Sequence, residues 1–222
     1  MKTVVCDSSS IITLSSNCLL WLLGKFEVEF LIPVYVRKEI MDNPINSKRY
    51  AFEAMRNGLQ IGKTLRVEKT DVELRDKIIS LANTFYMHKG RPIEIIQAGE
   101  ADALALAIEK GVKTLLVDEK NTRLLIEDKE LLRKVVEKRT GRGIEINRDS
   151  ANEIEKMFKD INVIRTSELV AVAVKRGVLD WPYPKKELLR GVLTAMKLSG
   201  CSISSEEIAE TVNMMAPTKI NV

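Results

Sequence analysis

Two short apolar runs, Thr3-Val4-Val5-Cys6 and Thr114-Leu115-Leu116-Val117, each stop on an aspartate, Asp7 and Asp118. Runs of this length read as strands buried inside a sheet. A carboxylate at the carboxyl end of a parallel strand lies at the sheet edge where α/β folds build their sites. Two further acidic positions are placed in a similar way. Glu39 lies on a helix that follows the apolar run Val28–Ile32, and the pair Glu100 and Asp102 opens an apolar helix. Carboxylates gathered at one spot repel each other and need a counter-charge. Oxygen-only donors select a hard divalent cation, Mg²⁺ or Mn²⁺. Such a cation points to phosphate chemistry.

Strands and helices alternate along the chain. Strands are expected at 2–6, 28–32, 65–67, 112–117 and 162–165. Helices are expected at 11–23, closed by Gly24; at 34–42, opened by Pro33; and at 47–57, closed by Gly58. Others are expected at 71–86, 101–108, 121–138, 150–158, 166–176, 185–198 and 204–214. This alternation predicts an α/β fold, a three-layer α/β/α sandwich around a central parallel sheet. The 222 residues suffice for one substantial domain, or one domain with an appendage.

Residue usage excludes several chemistries. The three cysteines, Cys6, Cys18 and Cys201, are widely spaced and form no CxxC. They read as reduced thiols of a cytoplasmic protein rather than a zinc site. The single histidine, His88, rules out a multi-histidine metal centre and leaves a Ser-His-Asp arrangement without a supporting motif. His88 itself is expected in an exposed loop. No run reaches the roughly 20 apolar residues that a membrane span needs, and 11–23 reads as a core helix rather than a leader. The segment from Gly58 to Thr64 imitates a phosphate-binding loop but has three residues between its glycines instead of four, and a helix rather than a strand before it.

The net charge is +4, and a metal site that sequesters several acids would leave the remaining surface more basic. That balance suits a nucleic-acid backbone, although plain solubility accounts for it equally. Between 129 and 148 there are seven Lys/Arg against three Glu, a candidate substrate contact or simply a solvated helix face.

In their surroundings the acidic positions resemble the PIN domain, a family of metal-dependent nucleases. The matching pieces are Val4-Val5-Cys6-Asp7-Ser8-Ser9, Ile32-Pro33-Val34 through Glu39, Gly99-Glu100-Ala101-Asp102-Ala103-Leu104, and Leu115-Leu116-Val117-Asp118-Glu119 with Arg123. A second likeness, Val163 through Leu179 with the later Leu198–Ser204, is to the C-terminal helical extension of one prokaryotic branch. The resemblance implies a PIN-like domain over 1–165, with 128–160 as an insertion, and a helical extension over 166–222. It implies Asp7, Glu39, Asp102 and Asp118 as catalytic metal ligands. Glu100 joins them only if it lies on the helix cap, because residues 100 and 102 are about 200° apart on a helix. Ser8 or Ser9 would support the site, and Glu119 or Asn121 would hold a water. Arg123, Arg139 and Arg142 are the candidate substrate contacts.

The implied activity is that of a Mg²⁺- or Mn²⁺-dependent endoribonuclease, with DNA left open as substrate. A protein inhibitor or antitoxin and a homodimer are the partners the resemblance allows. Two other readings compete. A haloacid dehalogenase-type phosphatase would use Asp7 as nucleophile but needs an aspartate where Ser9 stands. A PIN-like module that binds RNA or protein without cutting, or that an inhibitor holds off, would keep the fold and lose the chemistry.

Overall fold

The computed structural model describes residues 2–141 and 143–215. The first half begins with β1 (Lys2–Cys6), α1 (Ser8–Ser16), a 3₁₀ turn (Leu20–Lys25), β2 (Val28–Pro33) and α2 (Val34–Arg37). Helix α2 runs into a π-helical turn (Lys38–Asp42), followed by a 3₁₀ turn (Pro44–Asn46), α3 (Ala51–Gly58), β3 (Leu65–Glu68) and α4 (Val72–Asn83). Two short strands, β4 (Tyr86–His88) and β5 (Arg91–Pro92), lead to α5 (Ala98–Glu109) and β6 (Thr114–Leu116). The second half holds α6 (Lys120–Glu127), α7 (Lys129–Thr140), β7 (Ile144–Ile146), α8 (Arg148–Phe158) and β8 (Asn162–Ile164). Three helices follow: α9 (Thr166–Lys175), α10 (Lys185–Leu198) and α11 (Ser205–Asn213).

The main sheet has the order β3-β2-β1-β6-β8, with every pair parallel. From β1 the chain moves outward to β2 and β3 on one side, and later to β6 and β8 on the other. The strand order therefore reverses between β1 and β6, and a parallel sheet opens a crevice at the carboxyl ends of such a strand pair.

Period-two alternation sends successive residues to opposite faces. Val4, Cys6, Phe30, Ile32 and Leu116 face a core built with α1, the π turn and α9–α11. Val5, Leu31, Leu115 and Val117 face a second core built with α4–α8. The C-terminal helices thus cover one face of the sheet. Leu169, Val170, Leu189, Leu193 and Met196 are buried in the same cluster as the strands.

Several expected elements differ. The helix expected over 11–23 is two pieces. Helix α1 stops at Ser16 in a Schellman closure, with Cys18 N–H donating to Ser15 O, Leu19 N–H donating to Leu14 O, and Cys18 at φ 59°. The serines and Asn17 before the stop are weak helix formers that compete for backbone hydrogen bonds. The helix expected over 121–138 breaks at Asp128, whose side chain accepts from Leu131 N–H and starts α7. The helix expected to reach Tyr86 ends at Asn83, and Tyr86–His88 is a strand. His88 therefore lies in a strand rather than an exposed loop.

A second, antiparallel sheet, β5-β4-β7, had no counterpart in the sequence reading. It joins the segments 86–92 and 144–146 through pairs such as Tyr86 with Ile146. Among the described residues no helix is long and apolar enough to cross a membrane.

Candidate functional site

Asp7 follows β1, and its N–H donates to Leu116 O at 3.0 Å, which carries the β1–β6 pairing one residue past the strand. The sheet therefore fixes the position of Asp7 at the crevice. Its carboxylate caps α1: Oδ2 accepts from Ser9 N–H at 3.1 Å and Ser9 Oγ at 2.6 Å, and Oδ1 faces Ser8 Oγ at 3.4 Å. Ser9 Oγ also accepts from Asp118 N–H at 3.1 Å, so one hydroxyl ties together the chain segments that leave the two strands. Asp7 is buried, with 1% of its surface exposed. Loss of solvent pushes its carboxyl above the usual range, and the Ser9 and Ser8 hydrogen bonds offset only part of the rise.

Glu39 arrives on the π turn, where Asn43 N–H reaches back to Lys38 O at 2.9 Å. Turns of this kind insert a residue into a helix and re-aim what it carries, and they recur at functional sites. The Glu39 carboxylate rests on the backbone of Gly99: a Cβ added there would meet Oε2 at 2.6 Å. Burial raises its pKa, and the charges of Asp7 and Asp102 add to the rise. Gly99→Ala is thus expected to leave the fold intact, because the Glu39 side chain can swing away, and to weaken divalent-ion binding about tenfold or more. Isothermal titration with Mn²⁺ checks this, and unchanged affinity would refute the contact's role.

Glu100 and Asp102 share α5 but face different ways. Glu100 Oε2 reaches back to the cap and accepts from Gln97 N–H at 2.8 Å. Burial and the charges of Asp7 and Glu119 push its carboxyl up to about 7. Asp102 is 4% exposed and accepts from Tyr35 N–H at 3.3 Å, which locks α5 against the start of α2. Burial raises its pKa as well, opposed by that N–H and by the nearby Arg75 and Lys38.

The two acids after β6 divide in a way the sequence reading did not anticipate. Asp118, expected to be a ligand, turns away from the other acids toward the C-terminal helices. Its Oδ1 accepts from Thr166 N–H at 2.9 Å, and its Oδ2 from Thr166 Oγ1 at 2.5 Å and Cys201 Sγ at 3.6 Å. Glu119, expected only as a support, is the neighbour whose charge is felt at Glu100. It caps α6 by accepting from Thr122 N–H at 2.9 Å; burial raises its pKa, and repulsion from Asp7 adds to the rise. Strand parity carries the signal for this split. Leu116 faces the core shared with α9–α11, and residue 118 falls on the same side.

The remaining candidates are scattered. Asn121 lies in the first turn of α6, two residues after Glu119. Arg123 is largely covered and pairs with Glu127 at 3.6 Å. Arg139 donates to Glu94 O at 3.2 Å. Arg142 lies outside the described residues. Within the basic stretch, Arg133 pairs with Glu130 and Glu137 and so is neutralised locally.

Five carboxylates therefore form a linked set, in which Asp102 is coupled to Glu39, Glu39 to Asp7, and Asp7 to Glu100 and Glu119. The set supplies oxygen donors alone, the chemistry that a hard cation takes. Among the described residues no three Asp, Glu, His or Cys side chains close into a ready coordination shell. What joins these acids is the reach of their charges around Asp7, at the carboxyl end of β1.

A carboxyl whose folded pKa lies above its unfolded value holds a proton in the native state that the unfolded chain has lost. Stability then falls as pH rises between the two values. For Glu100 that window runs from 4.5 to about 7. The melting temperature of metal-free protein is expected to drop across it, and Glu100→Gln to flatten the drop. A melting temperature that rises steadily from pH 5 to 7.5 would contradict this.

The PIN domain family model matches residues 3–132, which span β1 through the start of α7 and all six of these acids. The chain belongs to the PIN domain family. No curated protein and no solved structure matches it. PIN domains are generally nucleases and typically use divalent metals, and the match includes both edges of the β1–β6 crevice.

Proposed function

We propose that this PIN domain is a Mg²⁺- or Mn²⁺-dependent endoribonuclease that hydrolyses phosphodiester bonds at the acidic cleft. The observation that carries the reading is the uncompensated charge at the crevice. Burial raises the pKa values of Asp7, Glu39, Glu100 and Glu119, neighbouring acids add to the rise at Glu39, Glu100 and Glu119, and no basic side chain offsets it at any of the four. Clustered acids of this kind are costly without a cation.

Asp7, Glu39, Glu100, Asp102 and Glu119 would hold the ion. When bound, such an ion neutralises charge on a scissile phosphate and lowers the pKa of the attacking water. The chain's own residues preorganise the cleft. Ser9 fixes the Asp7 rotamer by donating to its carboxylate, and Gly99 admits Glu39 to the surface of α5. Gln97 N–H holds Glu100 on the cap, and Tyr35 N–H holds Asp102. The three cysteines are free, in keeping with work in the reducing cytoplasm.

The test is cleavage of end-labelled RNA with Mg²⁺, Mn²⁺ or EDTA, in which internal cuts are expected with either metal and none in EDTA. The open arrangement of the carboxylates favours one rival, a module that binds without cutting or that an inhibitor holds off. Wild-type protein that stays inactive at every metal concentration would decide for that rival.

A further inference from the structure

Three chain segments are joined at the carboxyl edge of the main sheet, and Asp118 lies in the middle one. Asp7 N–H donates to Leu116 O and Val117 N–H donates to Ile164 O, both at 3.0 Å, so 7–9, 116–118 and 164–166 are tied together where β1, β6 and β8 end. Asp118 uses its polar groups on different neighbours. Its N–H donates to Ser9 Oγ at 3.1 Å, while its carboxylate accepts from Thr166 N–H at 2.9 Å and Thr166 Oγ1 at 2.5 Å.

A hydroxyl carries one proton. Ser9 Oγ accepts from the Asp118 amide, so its own proton is left for Asp7 Oδ2 at 2.6 Å, the shortest of the three hydrogen bonds to that carboxylate. Both Thr166 donors go to the Asp118 carboxylate, and Thr166 is fully buried, so water does not compete for them. A continuous run of hydrogen bonds therefore leads from Thr166 to Asp118, from Asp118 to Ser9 and from Ser9 to Asp7. In a low-dielectric interior such a run is stronger than its members taken singly. Thr166 opens α9 and lies beyond the residues 3–132 that the family model spans. Leu169, Val170, Ala173 and Val174 of the same helix are buried in the core shared with the sheet, and that packing leaves α9 little freedom to shift.

We propose that Thr166 is a positioning residue for the metal site: through Asp118 and Ser9 it sets the orientation of the Asp7 carboxylate. The C-terminal helices are then part of the site as well as a cover for the sheet. Thr166 acts at a distance, as the outer partners that orient a ligand do. The inference rests on the metal-dependent reading, which gives Asp7 to the ion.

The experiment is calorimetric titration of the full chain with Mn²⁺, paired with a melting curve of each metal-free variant. Thr166→Val keeps the shape of the side chain and removes its proton donor. It is expected to weaken Mn²⁺ binding about tenfold, and Thr166→Ser to restore the affinity of wild type. Val170→Ala, one turn along α9, is the control for stability alone: it should lower the melting temperature and leave the affinity unchanged. In a Ser9→Ala background Thr166→Val should add nothing, because the two residues act in series. Equal affinity of Thr166→Val and wild type, a Thr166→Ser as weak as Thr166→Val, or full additivity with Ser9→Ala overturns the relay. Should Thr166→Val fail to fold, Cys201→Ala removes the other side-chain donor to Asp118 Oδ2, with an expected loss of about threefold in affinity. No loss there overturns the relay as well. A parallel RNA cleavage assay separates the two proposals. Thr166-dependent Mn²⁺ binding without any cutting by wild type sinks the nuclease and keeps the relay. Metal-dependent cutting with an affinity indifferent to Thr166→Val does the reverse, and a wild type that takes up no Mn²⁺ overturns both.

Discussion

Asp7→Asn is expected to lower metal-dependent RNA cleavage by at least about a hundredfold while leaving the metal-free protein as stable as its parent, or more so. Asp7 is the carboxylate to which Glu39, Glu100 and Glu119 are all coupled. The substitution replaces the central anionic carboxylate with a neutral amide, and even losing a supporting group at a metal site costs about 10- to 100-fold. The fold should not suffer. An asparagine oxygen can still accept from Ser9 N–H and Oγ and so still cap α1, while the penalty for an ionised group only 1% exposed disappears. End-labelled RNA cleavage and a melting curve on the same preparation measure both halves. A variant that cuts like wild type would exclude Asp7 from the site. One that simply fails to fold would show that Asp7 holds the sheet edge together.

Asp118→Ala is expected to behave in the opposite way, with its main effect on stability. The Asp118 carboxylate is 4% exposed and receives the N–H and hydroxyl of Thr166, at the start of α9, and the Cys201 thiol. Alanine removes these charge-assisted bonds and leaves the Thr166 groups buried without an acceptor, a loss of about 3 kcal/mol. For a chain of this size that lowers the melting temperature by roughly 6–12 °C. Asp118→Asn, which keeps one acceptor oxygen, should lose less. Glu119→Gln is the control on the neighbouring residue: it should weaken Mn²⁺ binding with little change in melting temperature. If Asp118→Ala melts like wild type and loses Mn²⁺ binding, Asp118 is the ligand, and its hydrogen bonds to Thr166 do not fix its role.

The positions of the acids were legible in the sequence because they depend on local rules. An apolar run that stops on Asp7 or Asp118 marks the end of a buried strand, and the apolar helix at Ala101–Ile108 marks the second layer. The angle between residues 100 and 102 set only a condition, that Glu100 lie on the helix cap, and the structure places its carboxylate against the Gln97 N–H. The π turn that carries Glu39 was not legible, because its widened hydrogen-bond pattern depends on packing between α2 and α3, tied by Asn57 Nδ2 to Ile40 O. Nor was the small sheet. Strands as short as Tyr86–His88 and Ile144–Ile146 have no periodicity to read, and they exist only because each pairs with the other.

The sequence by itself determined which strands build the main parallel sheet and that Asp7 and Asp118 follow two of them, since burial and chain alternation act residue by residue. Tertiary structure decided what the Asp118 carboxylate binds. The C-terminal helices pack on the face toward which residue 118 points, and Thr166, 48 positions further along the chain, takes up the Asp118 carboxylate. Glu119 is left beside Asp7, because the direction of a side chain is set by what packs against it.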